Sequence, residues 1–331
     1  MDAKITKERL GRMLSYDWLK IVGICIAVIF VWVLVFTTSA TRITTAQQFT
    51  VVNYFGNAAT TNTSFSKDFA NAYQNGLFSY EVLDITEVDV GGNKEVGGTL
   101  WQTRLATEEG DVVFVPNIIN PDSEFEVNGQ KYQETYLQNL ARGQRFLLAD
   151  LDRNKTGSYF KKLESFLNMY YQGGYLAGSL NEELVKRDFL ARIEKNKDKR
   201  FKKPEQIEKG IQDEIARVKK YRDALIEFDK HVADGFVEFT TTKVLDNETG
   251  EVLYEGVFGI NICPDPAKMP NLTKLTGYWE EVTNEAGETQ APKLSAKDMH
   301  IALLVFDSIE DSFEFEDLLY INHVIRSGKA Q

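Results

Sequence analysis

Cysteine and histidine are scarce: the 331 residues hold two cysteines and three histidines. Cys25 falls inside an apolar run, so only Cys263 remains for the rest of the chain, which can close no internal disulfide. That excludes a disulfide-stapled secreted animal domain and leans towards a bacterial surface protein. Neither the lone Cys263 nor the scattered His231, His300 and His323 form a zinc cluster. H-E-x-x-H, G-x-S-x-G and phosphate-loop patterns are absent, and Gly97-Gly98 only opens a helix. Glu280 and Glu281 are adjacent, so on a strand they would face opposite ways and could not act as a glycosidase pair. No catalytic residue, metal site or cofactor is expected. Positive charge is also in deficit, with 38 Lys+Arg against 49 Asp+Glu and a net charge of −11, which argues against nucleic acid as a partner.

What is present is one long apolar run. Ile21–Phe36 carries no charge, and the neutral residues 37–41 extend it. Residues 21–41 rise about 32 Å as a helix, enough to span a hydrocarbon core. Tyr16 and Trp18 precede it at headgroup level. Lys4, Lys7, Arg9, Arg12 and Lys20 lie before the run, and the nearest cation after it is Arg42. The positive-inside bias therefore leaves residues 1–20 in the cytoplasm and residues 42–331 outside a plasma membrane crossed once. The rival is a signal peptide cleaved near Thr38-Ser39-Ala40, which exports the same domain. Sequons begin at Asn62, Asn154, Asn247 and Asn271 and matter only in a glycosylating host.

The exported chain reads as α/β. Phe49–Phe55 predicts a strand, Phe65, Phe69, Ala72, Tyr73 and Leu77 a helix, and Tyr80–Val88 a second strand. Residues 96–107 predict a helix and Asp111–Val115 a buried strand, so strand and helix alternate as in a parallel sheet. Ile118–Gly129 is a loop or hairpin, and Tyr132–Phe146 a helix. A helical insertion over about 158–235 follows. In it Ile207, Ile211, Ile215, Val218, Tyr221, Leu225, Phe228 and Val232 form a long stripe. The insertion is expected to project as an αα-hairpin whose tip, Lys195–Lys203, is basic. That tip reads as a solvated helix end, or as a contact for anionic headgroups or wall polymer. Strands Val237–Leu245, Val252–Ile262 and Met299–Phe306 and a helix Phe313–Ile325 close the chain.

Open α/β sheets bind ligands beyond the carboxyl ends of their strands. Those ends place Tyr54, Gly56, Asn57, Pro116 and Asn117 as candidates, with Trp101 and Trp279 as aromatic platforms; the plain reading of each is turn or core packing. Asp150-Leu151-Asp152-Arg153-Asn154 imitates a calcium loop, but Lys155 and Lys161 stand where glycine and glutamate belong. An Asp or Asn capping the Tyr159 helix is the expected use of this segment.

The block Leu100–Val115 (LWQTRLATEEGDVVFV), the Asn53–Asn57 strand end, and Arg142-Gly143 leading to Leu147–Leu151 resemble the bacterial extracellular solute-binding proteins of ABC importers. The resemblance is best over residues 49–152. It implies a periplasmic-binding-protein-like parallel-sheet lobe (49–152) and a mostly helical second lobe bearing the insertion, with strands and closing helix over 236–327. It also implies an ABC permease as partner and non-covalent capture of a solute such as a sugar between the lobes. This sequence departs from the family in its shortness, its helical replacement for a lobe and its transmembrane anchor. The competing reading is a binding fold turned structural or assembly subunit of an envelope membrane complex.

Overall fold

The structure is a computed structural model that describes residues 7–39, 47–54, 76–90, 94–280, 291–306 and 315–330. The chain separates into two units, residues 1–43 and 44–331. The first is helix α1 (Lys7–Ser39). Its stretch Trp18–Phe36, with mean hydropathy 2.8 over 19 residues, is long and apolar enough to cross a membrane, and its side chains from Val22 to Phe36 are exposed.

In the second unit, β1 (Gln48–Asn53) pairs in parallel with β2 (Asp84–Asp89) on one side and β3 (Val112–Pro116) on the other. Helix α2 (Lys94–Ala106) carries the chain from β2 across to β3. The helix expected around Phe65–Tyr73 lies outside the described residues. β3 is buried at all five positions because both faces of the sheet are covered, which is why it reads as an unbroken apolar run.

Beyond β3 comes a hairpin, β4 (Ile119–Val127) and β5 (Gln130–Thr135), turned by Asn128 and Gly129 at φ 52° and 78°. Helix α3 (Tyr136–Gln144) therefore starts later than its apolar spacing predicts, since Gln130–Thr135 are committed to the hairpin. Thr135 and Gln138 mark the start with a reciprocal capping box. Next come α4 (Tyr159–Tyr170), the short ribbon β6 (Tyr171–Gln172) and β7 (Ser179–Leu180), α5 (Glu182–Asn196) and α6 (Pro204–Ala233). The remainder is β8 (Glu238–Leu245), β9 (Val252–Asn261), the ribbon β10 (Tyr278–Glu280) and β11 (Lys293–Ser295), β12 (Met299–Leu303) and α7 (Glu316–Gly328).

Two expectations are corrected. The sheet is mixed: its order is β2-β1-β3-β12-β9-β8, with β12 antiparallel to both β3 and β9. β12 enters at the carboxyl end of β3, where Asn117 N–H donates to the Asp298 carbonyl at 2.9 Å, so it must run back along β3. β8 and β9 are antiparallel because the five-residue Asp246–Gly250 turn joins them directly.

Secondly, the helical insertion is a layer on the sheet. Phe49, Val51 and Phe114 share one buried cluster with Phe160, Phe228 and Tyr320 from α4, α6 and α7. Residues one step along the same strands, Val52, Val113 and Val115, pack with Trp101, Leu137 and Leu140 from α2 and α3 on the other face. α6 buries side chains from Gly210 to His231, so the hairpin lies along the body over most of its length. Its apolar stripe is a seam to the chain's own core, as a face with i, i+3/i+4 spacing requires.

Candidate functional site

The hairpin α5–α6 and helix α4 form a half-open cavity of about 170 Å³ lined by Phe166, Tyr170, Asp188, Phe189, Arg192, Glu214 and Arg217. Local sequence explains each element's start. Asn181 accepts the Leu184 N–H at the head of α5, Lys197 closes its end in a left-handed conformation at φ 50°, and Pro204 opens α6. Gly210 lets α6 come close: a Cβ there would stand 2.5 Å from the Phe189 ring and 2.6 Å from that of Phe201.

Glu214, Arg217 and Tyr221 follow at i, i+3 and i+7, which puts all three on the inward face of α6. Arg217 grips Glu214 through Nε–Oε2 at 3.0 Å and Nη2–Oε1 at 2.6 Å. Arg192 reaches across from α5 to Glu214 Oε2 (2.9 Å), to Glu81 Oε1 (3.1 Å) and to the Tyr80 hydroxyl (2.6 Å). Tyr80 donates in turn to Glu214 Oε2 at 2.6 Å. Glu81, only 1% exposed, also holds Arg200 at 2.6 Å. Deeper still, Tyr221 donates to Glu316 Oε1 at 2.7 Å, and Ser79 N–H to its Oε2 at 3.0 Å. The loop 76–83, α5, α6 and α7 are thus tied by one polar network whose charges alternate in sign.

Burial alone would push the Glu214 carboxyl up, but Arg217 and Arg192 beside it hold it below the usual range. Tyr170 is pushed up to about 12 by burial and by Asp188. Arg217 is raised by Tyr221 and Glu214 against its own desolvation. The lowered Glu214 and raised Arg217 favour the charged forms of both, which suits electrostatic binding or cross-bracing.

The strand-end candidates fare differently. Tyr54 and Trp101 are brought together, ring centroids 5.5 Å apart, but Trp101 is 5% exposed and belongs to the core under α2. Pro116 is buried opposite Met299, and Asn117 binds the Asp298 carbonyl through its backbone. Trp279 is 47% exposed on β10, where it pairs with Leu294. β11 ends three residues before Asp298, so that ribbon emerges at the same end of the sheet as Asn117. Gly56 and Asn57 lie outside the described residues. Asn53, which opens the strand end that carries the resemblance, is fully buried, donates to Glu87 Oε1 at 3.0 Å and has no partner for its Oδ1 among the described residues.

The calcium-like segment folds as consecutive side-chain turns. Asp150 Oδ1 accepts Asp152 N–H, Asp152 Oδ1 accepts Asn154 N–H, and Lys155 Nζ lies 2.5 Å from Asp150 Oδ2. The cap of α4 is Ser158 and not an Asp or Asn, which those turns already occupy. No group of ligating side chains able to hold a metal ion occurs among the described residues.

No family model, curated protein or solved structure matches this chain.

Arg192, Glu214 and Arg217 escaped the sequence reading, although a signal existed. Glu214 and Arg217 flank Ile215 and Val218 on the buried stripe of α6, and charges at such positions imply a partner.

Proposed function

We propose that this chain is a membrane-tethered, extracytoplasmic docking subunit of an envelope membrane complex, built on a sheet of the solute-binding kind. The observation that carries this reading is the shared core. Phe49, Val51 and Phe114 of the sheet pack in one cluster with Phe160 and Phe228 of the helical layer, so sheet and helices share one core, which supports a single body over two lobes that close on a ligand. α1 supplies the tether, with residues 1–20 cytoplasmic by the positive-inside bias and the body exported to a plasma-membrane surface. Sheet order supports kinship with the binding fold: β2-β1-β3 reverses direction at β1, which creates a switch point between β1 and β3. The test is native electrophoresis of gently solubilised membranes carrying the full chain. A docking subunit migrates in an assembly well above its own 37.6 kDa plus detergent; migration as a monomer alone removes the reading.

A second reading is favoured by one observation, the charged cavity between α4, α5 and α6. There the chain captures a small polar solute such as a sugar and presents it to a membrane partner such as an ABC permease. A ligand at about 100 times its dissociation constant adds roughly 2.7 kcal/mol of stability. A thermal-shift screen of sugars, peptides and ions that moves the melting point by several degrees, and loses the shift in Arg192→Ala, favours capture over docking.

A further inference from the structure

The inward charges around the cavity balance, with one exception. Among the described residues, Arg192 is met by Glu81 and Glu214, Arg217 by Glu214, and Arg200 by Glu81 and Asp198, three guanidiniums against three carboxylates. Asp188, which lines the cavity from α5, stands outside that count. Its cationic partner is Arg187, whose Nε and Nη2 both lie on Oδ1, at 2.9 and 2.8 Å. Arg187 is 72% exposed, so water screens that pair. The other oxygen, Oδ2, meets the Tyr170 hydroxyl at 3.4 Å, a long contact that leaves it acceptor capacity beside a second group of the lining. The apolar part of the lining is aromatic. Phe166 and Tyr170 meet edge-on with centroids 5.2 Å apart, and Phe189 already carries a cation over its ring, the Arg192 guanidinium at 5.7 Å.

Taking this cavity as the capture site of the second reading above, we propose that its ligand is a small primary ammonium compound, an amine cation on a short apolar body. An ammonium has three donors and no acceptor, which matches a carboxylate and a hydroxyl that can both accept. The rings of Phe166 and Tyr170 suit its methylenes and, through their π faces, its charge. Arg192 and Arg217 also line the cavity, but Glu81 and Glu214 offset them, so the charge left over is that of Asp188. An anionic ligand is repelled by it. The volume of about 170 Å³ lies below the roughly 300–1,000 Å³ of pockets for drug-sized ligands, which excludes an oligosaccharide.

The test is isothermal titration calorimetry of the full chain in detergent, with butylammonium, butyrate, alanine and glucose as probes. Butylammonium should bind more tightly than the other three. Asp188→Asn should weaken it at least about tenfold, the order of one charge-assisted hydrogen bond, and urea unfolding checks that the variant keeps its fold. Arg187→Gln removes the competing cation and should tighten binding, a direction that loss of structure does not give. Butyrate or alanine binding more tightly than butylammonium overturns the proposal, and so does butylammonium binding unchanged in Asp188→Asn. If glucose alone binds, and is lost in Arg192→Ala, capture at this cavity stands and the ammonium ligand falls. If no probe binds, the proposal falls, and a flat thermal-shift screen takes the capture reading with it.

Discussion

Glu214 and Arg217, one turn apart on α6, form a buried two-point ion pair that faces the cavity rather than solvent. Their side chains are each 7% exposed, so neither charge can fall back on water if its partner is removed. Breaking a buried pair from one side costs about 3–5 kcal/mol. Glu214→Ala and Arg217→Ala should each destabilise by that order in urea unfolding, and the double variant by clearly less than their sum. Strict additivity would show that the two side chains do not act as a pair.

His300 sets an acid limit. It is 1% exposed, its Nδ1 meets the Asp298 carbonyl at 2.8 Å and its Nε2 the Thr240 hydroxyl at 2.6 Å. Burial pulls its pKa down to about 4. The unfolded histidine takes up a proton near pH 6.5 and the folded one does not, so this group's contribution is whole above pH 6.5 and is lost as pH falls towards 4. The loss approaches about 3 kcal/mol. His300→Gln should remove this slope from stability measured across pH 4–7.

Asp111 works in the opposite sense. Burial pushes its carboxyl up to about 7, with Glu316 adding to the rise, although Thr50 N–H donates to it at 2.6 Å. The folded state keeps a proton that the unfolded state releases near pH 4, so this group lowers stability as pH rises from about 4 to 7. Asp111→Asn should therefore gain relative to wild type as pH increases over that window. A constant difference between the two proteins would refute the raised pKa.

Two glycines in helices should respond with opposite signs. Gly210→Ala drives a Cβ to within 2.6 Å of both Phe189 and Phe201 and should cost about 1–3 kcal/mol. Gly143, on α3, has open space around it, so Gly143→Ala should stabilise by up to about 1 kcal/mol. Thermal melts of the two variants check both.

The two tryptophans chosen from sequence should also separate. Trp101→Ala removes a core ring and should cost about 3–5 kcal/mol, whereas Trp279→Ala, half exposed on a two-stranded ribbon, should leave the melting point nearly unchanged.

Much of the architecture was legible because local pattern and packing agree. The β2–α2–β3 unit, the α5–α6 hairpin and the Asp246–Gly250 turn each carry their own period or turn chemistry. Strand partners were not legible. Nothing local to Met299–Leu303 says that it inserts antiparallel between β3 and β9; that follows from Asp298 meeting Asn117, a contact between residues 181 apart in sequence. The helical layer was misplaced for a related reason. Periodicity shows that Ile211, Val218 and Phe228 need burial, but not that the sheet's own Phe49 and Phe114 provide it. The cavity was hidden because its charged lining comes from α5 and α6 together, while the tryptophans that drew attention are a core ring and a ribbon surface.

The most direct test of the central claim, that sheet and helical layer are one body built on a shared core, is scanning calorimetry of the full chain in detergent. One transition for the exported body is predicted, with calorimetric and van't Hoff enthalpies equal. Two separable transitions, one of them belonging to α4–α6, would contradict it and restore a two-lobed receptor.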